Sequence, residues 1–128
     1  MSENVRKKPN KLDEYEGFSV KTFCSSTTRQ IEDHIQQNVE AIETVYRENA
    51  FDVIQTNHVI ISPYIGRELW KKHKTPYYIT LHGSALNFCV KNDERLRPYA
   101  TQALLDAKNI FAVSNHNRLE ALTFFRKI

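Results

Sequence analysis

Short apolar runs alternate along this chain with longer stretches of helical period, and that rhythm constrains the fold more than any other feature. Phe18-Ser19-Val20-Lys21-Thr22-Phe23-Cys24 alternates apolar with polar side chains, as a half-buried strand does. Ser25, Ser26, Thr27 and Thr28 offer helix N-caps. Ile31, Ile35, Val39, Ile42 and Tyr46 then recur at three- and four-residue steps, which predicts a helix to about Asn49 with one apolar stripe. A second strand is expected over 52–56, closed by Asn57-His58. After the apolar run from Val59 to Ile61, Ser62-Pro63 predicts a helix start with Ser62 as the cap and Pro63 in the first turn. That helix should carry Tyr64, Ile65, Leu69 and Trp70 inward and end near His73-Lys74, since Pro76 prevents its continuation. A third strand is expected over 77–81 and a fourth over 109–113. Between them lies a helix over 93–107 with Leu96, Tyr99, Ala100, Ala103, Leu104 and Ala107 on one side. Ser114 caps a last helix that carries Leu119, Leu122 and Phe125. Parallel neighbours need crossover connections, so the alternation predicts an α/β fold: a Rossmann-like parallel sheet flanked by helices.

Residues 1–16 are polar, charged and without period, and are expected to form a disordered or remnant arm before a domain spanning 17–128. A chain of 128 residues can bury most of its apolar surface as one domain without a disulfide or metal staple. Cys24 and Cys89 lie far apart in apolar company with no secretory leader before them, so both are expected to be reduced and inert in a cytoplasmic protein. The net charge is only +3, and no dense basic stripe or reading motif accompanies it, which argues against nucleic acid as a partner. The clusters Arg6-Lys7-Lys8 and Lys71-Lys72 allow at most a peripheral contact with anionic lipid headgroups. No run of eighteen apolar residues is present to span a bilayer.

In an open parallel sheet, ligands bind beyond the carboxyl ends of the strands. This chain loads that edge: its strands end in Asn57-His58, in His82-Gly83-Ser84 and in Ser114-Asn115-His116. Gly83 suits a tight turn, and at a strand end it also lets backbone approach a ligand closely. His82 is either a hydrogen-bonded core histidine or a group at the rim that binds or moves protons. His58 and His116 carry the same two readings, as rim groups or solvated loop residues. Three histidines raise the question of zinc, but neither an H-x-x-x-H pair nor a nearby acidic partner supports it. The glycine-rich phosphate loops G-x-x-x-x-G-K-[ST] and G-x-G-x-x-G are likewise missing, as is a G-x-S-x-G elbow.

The order Asp52-Val53-Ile54 with Asn57-His58, then Thr80-Leu81-His82-Gly83-Ser84, then Asn109-Ile110-Phe111-Ala112-Val113-Ser114, resembles the amino-terminal domain of retaining glycosyltransferases of the GT-B fold. The resemblance covers about residues 18–126. It implies two Rossmann-like domains facing across a cleft, the first holding mainly a sugar or lipid acceptor and the second a nucleotide-sugar donor, with no metal or other cofactor. By the same resemblance His82 is the expected catalytic residue, looking into the cleft beside the transferred sugar. Gly83 and Ser84 shape its loop, and Asn57, His58 and Ser114 contribute to substrate binding. The family's loop often reads H-G-x-D, where this chain has Ala85. Residues 1–17 contain neither the family's opening hydrophobic strand nor its glycine-rich loop. The chain is therefore expected to be a partial domain, inactive without its second domain and prone to self-association through exposed apolar surface. A non-catalytic α/β binding or scaffold module is the alternative.

Overall fold

The computed structural model of the protein describes residues 14–15, 18–19, 25–83 and 90–125. Strands β1 (Glu14–Tyr15) and β2 (Phe18–Ser19) pair antiparallel with each other. Helix α1 (Thr28–Glu48) follows, then β3 (Ile54–Asn57), α2 (Ser62–His73), β4 (Tyr77–Leu81), α3 (Arg97–Asp106), β5 (Asn109–Ala112) and α4 (Asn115–Phe124). Two short 3-10 turns, Val90–Asn92 and Glu94–Leu96, lead into α3. β3, β4 and β5 form one parallel sheet in that order, with Thr56 opposite Ile79 and Ile79 opposite Ile110. The molecule is thus α/β, a small parallel sheet flanked by helices in a single domain.

Local chemistry explains the elements. Thr27 closes the start of α1 with a reciprocal pair of bonds: its Oγ1 accepts from the Gln30 N–H and Gln30 Oε1 accepts from the Thr27 N–H, at 3.1 and 2.8 Å. Ile31, Ile35 and Val39 of α1 are buried, as the three-to-four spacing predicts. α2 ends at Lys74 in a left-handed conformation (φ 63°), whose N–H donates to the Trp70 carbonyl. Along β4, Tyr77, Ile79 and Leu81 are buried while Tyr78 and Thr80 are half-exposed. α2 packs against β4, and α3 reaches it at Tyr77. The Tyr77 hydroxyl donates to the Ala103 carbonyl, and burial pushes its pKa well above the usual tyrosine range. Gly66 lets α2 approach β3: a Cβ there would stand 2.9 Å from Thr56 Cγ2. Arg67 on α2 donates to Asp106 at the end of α3 over 2.7 Å, joining the two helices.

Four expectations need correction. The strand expected over 18–24 does not join the parallel sheet at Phe18–Ser19, which pair locally with Glu14–Tyr15; residues 20–24 lie outside the described residues. The sheet has three strands among the described residues. Ser62 does not cap α2, because its hydroxyl instead accepts a bond from the Asn57 N–H at 3.3 Å. The helix expected from Asp93 opens as a 3-10 turn capped by the Asp93 carboxylate, and regular α-helix begins only at Arg97 beside Pro98. Leu119 and Leu122, expected to point inward, are 50 and 54% exposed, while Phe125 is buried as expected. Their helix follows β5, the edge strand among the described residues, whose Phe111 is itself half exposed, so little of the described chain covers them. Among the described residues no helix is long and apolar enough to cross a membrane.

Candidate functional site

The three parallel strands end side by side, and the sequence places polar groups at each end. Strand alternation puts Thr80 and His82 on the same side of β4, and the register sets Asn57 of β3 opposite Thr80. His82 is therefore a diagonal neighbour of Asn57, and its Nε2 lies 3.0 Å from Asn57 Oδ1. His58 prolongs the ladder by one bond, its N–H donating to the Thr80 carbonyl at 2.8 Å. It then adopts a left-handed conformation (φ 72°), uncommon for a residue with a side chain. The His58 ring comes to rest against that of His82, with centroids 4.8 Å apart at an angle of 46°. Burial first, and the neighbouring His82 second, hold the His58 imidazolium below the usual histidine range. Its Nδ1 is buried and finds no hydrogen-bond partner among the described residues.

On the other side of His82 lies the start of α4. Ser114 is its N-cap, the hydroxyl accepting from the Asn117 N–H at 3.1 Å. That cap fixes Asn117 over the β4 end, where its Nδ2 donates to the His82 carbonyl at 3.3 Å. Gly83 turns there with φ 93°, and a Cβ at this position would meet Asn117 Oδ1 at 2.7 Å. Both its dihedral angle and its close neighbour therefore require glycine.

The structure thus brings together Asn57, His58, His82 and Gly83, with Ser114 in a capping role. Ser84 lies outside the described residues. His116 does not join the pair: its side chain is 83% exposed and lies 4.0 Å from Glu120, one turn along α4. Sequence reasoning missed Asn117. The available signal was the spacing from Ser114, since the third residue after a capping serine is held at the helix entrance. Among the described residues no three His, Cys, Asp or Glu side chains converge as a metal site would require. Neither His58 nor His82 forms an ion pair with a carboxylate among those residues.

A separate apolar groove of about 540 Å³ runs between α3, β5 and α4, with Arg118 its one charged lining residue among the described residues. None of the described rim residues lines it. It follows from the open β5 edge rather than from a set of convergent polar groups.

These features define a class: an α/β domain whose polar rim stands at the carboxyl ends of a parallel sheet, the place where such sheets bind ligands. No protein-family model, curated protein or solved structure matches the chain significantly.

Proposed function

We propose that this chain is the acceptor-side domain of a two-domain, GT-B-type glycosyltransferase that moves a sugar from a nucleotide-sugar donor to a sugar or lipid acceptor. The observation that carries the reading is the convergence at one rim: His82-Gly83 after β4, Asn57-His58 after β3 and the Ser114-capped start of α4 after β5. These are the segments on which the sequence resembles that family. In this reading His82 faces the transferred sugar, and the donor's diphosphate is held by the second domain. The work of the rim is positioning and hydrogen bonding, since a reaction between two bound molecules gains most from fixed geometry.

Backbone amide spectra of the chain titrated with UDP-glucose, GDP-mannose and free monosaccharides test this reading. The expected result is a set of shifts confined to residues 57–58, 82–83 and 114–117. Shifts elsewhere, or none at millimolar sugar, would overturn it. The second reading, a binding module without catalysis, is favoured by one observation: among the described residues the rim imidazoles have no carboxylate to orient or charge them.

A further inference from the structure

Asn57 stands at the rim as a polar side chain ready to meet a ligand, yet its carbonyl oxygen is already engaged. Oδ1 faces His82 Nε2 at 3.0 Å. The Asn57 backbone is itself pinned, its N–H donating to Ser62 Oγ at the start of α2. The His82 backbone is held from the opposite side by Asn117, and its ring has the His58 ring along one flank. An amide oxygen can only accept, so a neutral His82 bonded to it must carry its proton on Nε2 and its lone pair on Nδ1. We propose that Asn57 is a positioning residue that locks His82 in the Nε2–H tautomer, with Asn117 fixing the backbone that carries the ring.

The consequence is chemical. A neutral imidazole held this way offers Nδ1 to the rim as a proton acceptor, and its donating nitrogen is turned toward the protein. Without Asn57, neutral His82 can shuttle its proton between both nitrogens and present either. The inference deepens the reading of the rim as the functional site and rests on it for its significance. Its test, however, needs no ligand, so a failed sugar titration and a failed tautomer assignment are separate results.

Long-range ¹H–¹⁵N correlation spectra of the uniformly labelled full chain, recorded above the histidine titration range, distinguish the tautomers directly by the shifts of the two ring nitrogens. The wild type should show His82 as Nε2–H alone. Asn57→Ala should let the Nδ1–H form appear, drawing the two nitrogen shifts together, while the backbone amides of Ile79 and Ala103 stay in place as a check on the fold. Asn57→Asp, which keeps an acceptor in the same position, should restore the single tautomer. An Nδ1–H or mixed wild type would overturn the proposal. So would an Asn57→Ala spectrum identical to that of the wild type, which would leave Asn57 as part of the strand end and nothing more.

Discussion

At the scale of single residues, Gly83 and His58 are the rim positions with positive φ. Gly83→Ala must place a side chain at φ 93° and push its Cβ toward Asn117 Oδ1. The left-handed backbone alone costs about 1–2 kcal/mol for a residue with a Cβ. Chemical denaturation should show at least that loss. Adding Asn117→Ala removes the steric part but not the backbone part, so the double variant should lose less than the sum of the two singles. His58 gives a pH signature. Its folded pKa lies below the ordinary value of 6.5, so in the window just under 6.5 the unfolded chain binds more protons than the folded one. Stability therefore rises with pH through that window and falls as the medium is acidified. Glu43, whose pKa the hydrogen-bonded His73 lowers, adds an acid loss in the same direction, but only below 4.5. Melting temperatures between pH 5 and 8 should fall toward pH 5 in the wild type, and His58→Asn should flatten that slope. An unchanged slope in the variant would remove His58 as its source.

At the scale of elements, α2 approaches β3 closely at Gly66. Thr56 cannot move aside for a larger residue at position 66, because its hydroxyl donates to the Tyr78 carbonyl at 2.8 Å and the side chain is buried. Gly66→Ala gains about 1 kcal/mol of helix propensity but overpacks the joint at a cost of about 1–3 kcal/mol. A net fall in melting temperature is expected. Thr56→Ser keeps the hydroxyl and deletes the methyl that a Cβ at position 66 would strike, so it should recover much of the loss in the Gly66→Ala background. The measurement is thermal unfolding of the two singles and the double. Because β3 carries Asn57 and His58 at its end, the same joint sets the height of the rim.

At the scale of the whole molecule, the sheet ends at β5 in an edge that no other described strand covers. Phe111 and Val113 of the β5 segment are 50 and 54% exposed, and no charge or proline interrupts residues 109–113. An uncharged apolar edge offers unpaired backbone groups to another chain. Sedimentation should therefore show association that grows with concentration, and Phe111→Lys should shift it toward monomer without lowering the melting temperature. A wild type that stays monomeric at high concentration would show the edge to be inert. The proposed reading assigns donor binding to a second domain, so the chain alone should show no glycosyl transfer from any nucleotide sugar. Turnover by the purified chain would contradict that division of labour.

What the sequence determined by itself was local. The capped start of α1, the Pro76 stop before β4, the bounds of β4 and the Ser114 cap all follow from residues within one turn or strand of each other, where side chain and backbone compete directly. It also placed polar residues at every strand end of the sheet, because the chain direction of a strand fixes which loop follows it. Only the tertiary structure decided what those residues touch. That Asn57 reaches His82 across 25 positions, that His58 folds onto the same ring, and that Asn117 latches the turn are properties of register and helix placement, which no local pattern encodes. The exposure of Leu119 and Leu122 was equally hidden, since an apolar stripe shows that a helix has a face to bury but not whether a partner lies opposite it.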